Sequence, residues 1–467
     1  MATLTFHGAA RQVTGSCYLL ETTDMYRILV DCGMHQGEDI VDRMQSETFA
    51  FEPSSIDAVI LTHAHLDHSG LIPVLVHQGF KGPIYCTTGT QKLLPIMLND
   101  SLNLYLWDLE HDNKQRRKRN EEIVEPAYSK EDVETALSLC KGTRYKDALP
   151  IHKDCRLIFH DAGHILGSAI VEINLKEQSS AKKLIFSGDL GNKNSVLMKN
   201  PALIDSADVV LMEGTYGNRN HRDMNGTLEQ LVQILKETWK KNGNVMIPAF
   251  AVGRTQEILF HLGCLYHEGK LDPWNIYLDS PMAIEVTGAY EDCMQLLDEK
   301  DVEKLRIANH GTLQGFLPQL EYTPSVEESQ AISRIKSGAI IIAGSGMCTG
   351  GRIRHHFKFG LSNKRNTIIF TGFQAIGTLG RLLVDGIKTI RLFKQEVQVK
   401  ARIETLGGFS AHAGQTDLIN WLQHIKGKPR IILIHGEEKA LQALSDKLSH
   451  DHQITTEIPY MGDKIDL

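Results

Sequence analysis

Apolar residues recur along the chain with two periods. Short apolar runs bounded by glycine, acidic or polar turns predict strands at Leu4 to Phe6, Cys17 to Glu21, Arg27 to Asp31 and Ile56 to Leu61. Further such runs lie at Lys183 to Phe186 and Val209 to Met212. Between them, Trp107 to His152 is more polar and contains the basic run Lys114 to Arg119, which predicts a helical insertion. Its second half, Ser129 to Leu139, carries a capping signal, Ser129 followed three residues later by Asp132. From about Asp208 the two periods alternate. Thr227 to Lys241 places Leu228, Leu231, Ile234 and Leu235 on one helical face, and Asn244 to Phe250 reads as a strand. A helix at Arg254 to His267 and strands at Asn275 to Asp279, Ala339 to Ala343 and Thr367 to Thr371 follow. The tail repeats the theme with strand Lys400 to Thr405, helix Thr416 to Ile425, strand Arg430 to His435 and helix Glu438 to Leu448. Strands alternating with helices predict an α/β protein with a parallel sheet.

Composition narrows this picture only slightly. A chain of 467 residues, 42% hydrophobic and 23% charged, is sized for two or three domains with cores that need no disulfides. The eight cysteines contain no C-x-x-C pair, so free thiols in a reducing cytoplasm are expected and a zinc–thiolate site is not. The apolar runs are strand-length, which gives no membrane span, and the N-terminus lacks a signal-peptide pattern. The net charge of −7 means that any nucleic acid has to be met by local positive charge.

The chemistry enters with His63-Ala64-His65-Leu66-Asp67-His68, immediately after the apolar strand Ile56 to Leu61. Imidazole nitrogen and carboxylate oxygen both suit zinc. In extended chain, residues i and i+2 point the same way, so His63 and His65 can share one ion. Asp67 and His68 then turn toward a second, since four ligands so close crowd a single tetrahedral ion. His164, between Gly163 and Gly167, and Asp189, beyond the strand Lys183 to Phe186, extend the set. Alone, each is more often structural; in this order after the cluster, they read as ligands. Asp31 either turns the chain before Cys32-Gly33 or hydrogen-bonds one of the ligands.

Asp31, His63 to His68, His164 and Asp189 together resemble the ordered motifs of the metallo-β-lactamase fold. Three later features narrow the resemblance. Glu213-Gly214-Thr215-Tyr216-Gly217, Phe409-Ser410-Ala411-His412-Ala413 and Ile434-His435-Gly436-Glu437 are similar to motifs A, B and C of the β-CASP nucleases. The resemblance covers essentially the whole chain. It implies an αββα sandwich, residues 1–207 and 396–467, into which an α/β β-CASP domain, 208–395, is inserted. It further implies two zinc ions, one held by His63, His65 and His164 and the other by Asp67, His68 and His435, with Asp189 bridging. Glu213 would hydrogen-bond His412, the proton donor to the leaving group.

A His at motif C is typical of the RNA-cleaving branch, so His435 favours single-stranded RNA over DNA. Ser410-Ala411-His412 departs from the Ser-Gly-His of RNase J-type exonucleases and favours endonucleolytic cleavage to 5′ phosphate and 3′ hydroxyl. Gly214 departs from the Ser of many relatives, and the chain has neither a KH region nor a C-terminal extension, which bears on target choice and partner recruitment. Zinc at such a site brings water to a pKa near 7 and leaves the pocket net positive toward a phosphodiester. The Gly-rich turn Gly344 to Arg352 resembles the β-CASP loop facing the cleft, which makes Ser345 and Arg352 phosphate contacts or, equally on pattern, parts of a tight turn. Basic stretches at Arg352 to Lys358 and Lys364-Arg365 extend that expectation. A homodimer is compatible with the resemblance, though no motif demands it. The competing readings are a metallo-β-lactamase-fold hydrolase of a small ester or thioester, a silent scaffold binding RNA or protein, and a DNA repair nuclease.

Overall fold

The computed structural model describes the chain except for residues 36–40, 42–43, 45–47, 178–179, 194, 308–310 and 376. It divides into two compact units. The first comprises Met1–Asn194, Lys199–Asn220 and His412–Leu467; the second comprises Ser195–Met198 and His221–Ala411.

The first unit is built on two seven-stranded sheets. One contains β1 (Thr3–Phe6), β2 (Tyr18–Glu21), β3 (Arg27–Val30), β4 (Ala58–Ile60), β5 (Ile84–Thr87) and β6 (Cys140–Thr143) in that order, with β22 (Lys464–Asp466) beside β1. The other runs from β7 (Ala148–His152) through β8 (Cys155–Asp161), β9 (Ala169–Glu177), β10 (Ser180–Phe186) and β11 (Val209–Glu213) to β20 (Arg430–Ile434) and β21 (Thr456–Glu457). Strand alternation explains how the sheets pack. Leu157, Phe159, Val171, Ile173 and Phe186 point inward and meet Phe6, Leu20, Val30 and Ile60 of the first sheet in one apolar core. The outward residues Ile170, Ile185 and Val210 are covered by Leu418 and Leu422 of the helix Gln415–His424 and by Leu441, Leu444 and Leu448 of the helix Glu438–His452. The helix Thr88–Arg119 lies against β5 and β6 of the first sheet, and the helix Lys130–Leu139 packs on it and on the helix Ile72–His77. This is the expected αββα sandwich. Each fully buried Leu, Ile or Phe in these layers contributes about 1.5–3 kcal/mol relative to exposure.

The second unit is α/β. Its sheet has the order β14 (Leu320–Tyr322), β13 (Asn275–Leu278), β15 (Ala339–Ala343), β12 (Val245–Pro248), β16 (Thr367–Phe370) and β19 (Arg402–Thr405), and every pairing is parallel. Parallel strands are apolar on both faces because helices cover both, and the strands here divide their side chains between two cores. A hairpin of β17 (Thr389–Leu392) and β18 (Gln395–Gln398) completes the unit.

The structure revises two expectations. The stretch Trp107 to His152 is not one helical insertion. Its first part is the end of a helix of 32 residues that begins at Thr88, capped by Thr87, and Cys140–Thr143 and Ala148–His152 are strands. Pro95 inside that helix breaks the sequence pattern, and the strands lie at sheet edges where no apolar run is required. The main stretch of the second unit, His221–Ala411, also differs from the expected 208–395. β11 is bonded between β10 and β20 of the sandwich, and β19 is bonded to β16. Among the described residues no helix is long and apolar enough to cross a membrane.

Candidate metal centre

The predicted ligands gather at strand ends of the first unit. His63 follows β4 and is fully buried. His65 is the N-cap of the short helix Leu66–Ser69, which carries Asp67 and His68. This helix is locked by backbone contacts: Ser16 N–H donates to the Asp67 carbonyl at 2.8 Å and Cys32 N–H to the His68 carbonyl at 2.8 Å. Gly33 is required by that close approach, because a Cβ there would stand 1.7 Å from the Asp67 carbonyl oxygen. His164 sits in a loop whose backbone is held by Ser168 Oγ, which accepts from His164 N–H and Ile165 N–H. Thr87 and Thr90 donate their hydroxyls to the Gly167 carbonyl of the same loop. Asp189 follows β10, and His435 follows β20 with φ of 47°. Asp31, at the end of β3, has φ of 59°. Two non-glycine residues in left-handed backbone at strand ends are a strain held by the surrounding fold, and both aim side chains at one place.

The donor atoms form two sets. His65 Nδ1 lies 3.1 Å from His63 Nε2 and 3.2 Å from His164 Nε2, and Asp189 Oδ2 lies 3.5 Å from each of His63 and His164 Nε2. His68 Nε2 lies 3.2 Å from His435 Nε2 and 3.3 Å from Asp189 Oδ1, and Asp67 Oδ2 lies 3.8 Å from His435 Nε2. Asp189 thus gives one oxygen to each set. Ligands about 2.0–2.1 Å from a tetrahedral zinc stand about 3.3–3.4 Å apart, so the spacing in both sets suits such an ion. The donor chemistry agrees, and Asp189 Oδ1 is buried with no hydrogen-bond partner, an unsatisfied anionic oxygen that a cation would complete. The residues present therefore fit a metal.

Behind the donors lies a layer that fixes them. Asp31 accepts from Thr62 N–H at 2.7 Å and from the Thr62 hydroxyl at 2.8 Å, and its Oδ2 is 2.8 Å from His68 Nδ1. Thr62 Oγ1 is also 3.0 Å from His63 Nδ1, and Thr215 Oγ1 is 3.2 Å from His435 Nδ1. The sequence reading singles out Asp31 but neither threonine. Thr62, adjacent to His63, was findable by position, whereas Thr215 lies 220 residues from His435.

Electrostatics separate the imidazoles. Burial, then the charge on His68, hold His63 well below its ordinary value. Burial also disfavours a charged His68, but the Asp189 and Asp31 carboxylates outweigh it and raise that imidazole. Burial pushes Asp67 upward, yet the hydrogen bond with His435 and the neighbouring imidazoles bring it down to about 2.

Beside the two sets stands a third group, Asp189, Glu213 and His412. His412 Nδ1 is 3.3 Å from Glu213 Oε1 and 3.9 Å from Asp189 Oδ2, and the side chain is 22% exposed. Glu213 is fully buried and also accepts from Leu190 N–H at 2.7 Å. Burial alone would lower His412; Glu213 and then Asp189 overcome it and raise the imidazole to about 9.

The two remaining predicted residues lie in the second unit. Arg352 donates to Asp279 Oδ1 and the Thr323 carbonyl at 2.7 Å and to the Pro324 carbonyl at 2.8 Å. His356 stands 2.6 Å from the other oxygen of the fully buried Asp279. The Arg352 guanidinium is thus engaged inside its own unit, with the side chain 20% exposed, which favours the tight-turn alternative over a phosphate contact. Ser345 accepts from Gly350 N–H at 3.2 Å and lies 3.3 Å from the Thr349 hydroxyl, as the tight-turn alternative requires.

Three family descriptions match the chain. They are "Metallo-beta-lactamase superfamily" over residues 10–248, "Beta-Casp domain" over 255–383 and "Zn-dependent metallo-hydrolase RNA specificity domain" over 396–459. Among curated proteins, the chain is 41% identical to Ribonuclease TTHA0252 of Thermus thermophilus, with 95% of each chain covered. It is 32% identical to an RNase J-like protein of Methanocaldococcus jannaschii, with 99% of each covered. It is 31% identical to the transcription termination factor FttA of Methanosarcina mazei, over 96% of this chain and 69% of that one.

Proposed function

The chain belongs to the β-CASP family of metallo-β-lactamase-fold hydrolases, and from that premise we propose that it is a zinc-dependent ribonuclease with two metals per chain, cutting single-stranded RNA internally. The observation that carries this reading is Asp189, whose two oxygens face two separate donor sets while Glu213 and His412 stand alongside. The first set is His63, His65 and His164; the second is Asp67, His68 and His435. When bound, the ions supply charge stabilisation to the phosphodiester and acidify water at neutral pH.

The protein side chains divide the remaining work. Asp67, ionised down to about pH 2, can accept a hydrogen bond from the attacking water. Breaking the bond from phosphorus to the 3′ oxygen leaves a strongly basic alkoxide that needs a proton. His412 supplies it. Glu213 keeps that imidazole charged and fixes its ring by facing Nδ1. The products are a 3′ hydroxyl and a 5′ phosphate, with the ribose 2′ hydroxyl taking no part. A homodimer and a cytoplasmic setting belong to the same proposal.

End-labelled RNA and DNA of equal sequence, incubated with purified protein with and without chelator, test this. The expected result is chelator-sensitive appearance of internal RNA fragments. Cleavage that survives chelation sinks the reading. So does failure to cut RNA with zinc present while a small thioester is hydrolysed.

A further inference from the structure

Charge is distributed unevenly along this chain. From Arg352 to Lys400 it carries ten Lys and Arg against two acidic residues, a surplus of eight in a protein of net charge −7. Apart from β16, which lies in the sheet, the elements of this stretch pack together on it. The helices Ile353–Gly360 and Leu379–Val384 and the hairpin β17–β18 bury Ile353, Phe357, Leu383, Ile390 and Val397 in a common core. His355, Arg391 and Lys394 between or beside those positions are exposed, and Lys358 is half-buried.

The hairpin turn is an odd choice of sequence. Phe393 and Lys394 both have positive φ, 48° and 65°, at a two-residue turn where Asn-Gly is the usual solution. An aromatic residue in left-handed backbone is strained, and such strain points to a use. The core makes no call on this ring, which is 42% exposed while Leu392 before it is buried. What it touches lies on the outside. The His355 imidazole stacks on it with centroids 4.4 Å apart and planes 25° apart, and the Arg354 guanidinium carbon is 5.5 Å from its centroid. Nearby in sequence, Phe359 is 58% exposed with Lys358 Nζ 5.3 Å from its ring. Burial, then the charges of His356, Lys358 and Arg354, hold His355 below its ordinary value, as expected in a cationic patch.

We propose that this layer, centred on Phe393 with His355 and Arg354 against its ring, is a second contact site for single-stranded RNA. A base stacks on Phe393, and phosphates meet Arg354, Arg391 and Lys394. Rings accompanied by cations are what a strand with exposed bases and a charged backbone requires; an uncharged apolar partner would leave the charge surplus unused, and an acidic one would leave the exposed rings unused. The site rests on the ribonuclease reading above and extends it to residues outside the metal cluster.

Phe393→Asn tests it without harming the fold, because Asn accepts the left-handed turn and only the ring is lost. With the zinc-loaded full-length protein and a 5′-labelled oligouridylate of about 30 nucleotides, the variant should raise KM about 10-fold at unchanged kcat. Its Tm should equal or exceed the parent's, its hydrolysis of bis(p-nitrophenyl) phosphate should not change, and Phe393→Trp should restore KM. The double variant Arg391→Ala/Lys394→Ala should flatten the slope of log KM against log salt by about 1.4, which is about 0.7 for each phosphate contact. Unchanged KM in Phe393→Asn, with the parent cutting RNA, overturns the site and leaves the nuclease reading intact. If the parent cuts no RNA, that reading falls, and anisotropy of the same oligouridylate decides the site: binding lost in Phe393→Asn supports it, equal binding overturns it. A variant that turns a dimer into a monomer while RNA constants hold assigns the patch to a second copy of the chain.

Discussion

Replacing Asp31 by Asn separates the fold of the metal centre from its chemistry. The Asp31 side chain is buried; one oxygen accepts from Thr62 N–H at 2.7 Å, and the other lies 2.8 Å from both the Thr62 hydroxyl and His68 Nδ1. An acceptor at that second position keeps the His68 proton on Nδ1 and presents the Nε2 lone pair toward His435 and Asp189. Asn has the same shape and tolerates the φ of 59°. Its oxygen must stay on the Thr62 N–H, so its NH₂ faces His68. There it can only donate, which forces the His68 proton onto Nε2, where no ligand bond can form. The fold should lose about 1–2 kcal/mol, the worth of one or two altered hydrogen bonds. Zinc affinity of the second donor set should fall about 10–100-fold, the usual consequence of losing an outer hydrogen bond to a ligating His. Asp31→Ala instead leaves Thr62 N–H and His68 without an acceptor and should cost about 2–6 kcal/mol, a large part of a typical 5–15 kcal/mol. Metal content after dialysis against graded zinc–chelator buffers, beside urea melts, separates the two effects. An Asp31→Asn protein that keeps full zinc at the lowest buffered concentration would refute the reasoning.

Three further outcomes are expected. His412→Ala should lower the single-turnover rate about 100–10,000-fold with zinc content unchanged, read by metal analysis; loss of metal would mean that His412 and His435 have exchanged roles. Arg352→Ala should lower stability by about 1–3 kcal/mol in urea melts, because it strips hydrogen bonds from buried Asp279 and two carbonyls; a raised KM for RNA with unchanged stability would restore Arg352 as a phosphate contact. Burial pushes the Asp161 carboxyl up to about 6 against the Gly163 N–H and Lys199. With the folded value above the unfolded one, its stabilising protonated form is complete below about pH 4 and lost as pH rises through about 6. Asp161→Asn should therefore melt a few degrees above the parent at about pH 8 with the gap closing by about pH 4; a gap independent of pH would show that ionisation is not its source.

What was legible in the sequence follows from how local each feature is. The cluster from His63 to His68 was readable because four donors on one strand-to-turn segment have few other uses, His164 and Asp189 because they follow it in order, and His435 only through the resemblance to motif C. The αββα sandwich was legible only through the resemblance of that order to the metallo-β-lactamase motifs. The helix Thr88–Arg119 was missed because Pro95 interrupts its first turns and its second half is largely exposed. The Arg352–Asp279 pair was not legible because its partner lies 73 residues away, and a guanidinium after a Gly-rich turn looks the same whether it meets phosphate or a buried carboxylate. A separation of 220 residues from His435 likewise hid Thr215. A sequence names atoms able to hold a metal, but it does not say which nitrogen of each imidazole carries the proton. That is decided by Asp31 at His68, by Thr62 at His63 and by Thr215 at His435, each a contact of side-chain oxygen with Nδ1. At His63 and His68 the contact falls on Nδ1 and leaves Nε2 facing Asp189, whereas His435 Nδ1 also lies 3.5 Å from Asp189 Oδ1 while its Nε2 faces His68. An acceptor oxygen on Nδ1 at His63 and His68 favours one tautomer twice over, and a neutral imidazole with its Nε2 lone pair free is what lets a group of histidines hold a metal rather than form a buried cationic cluster.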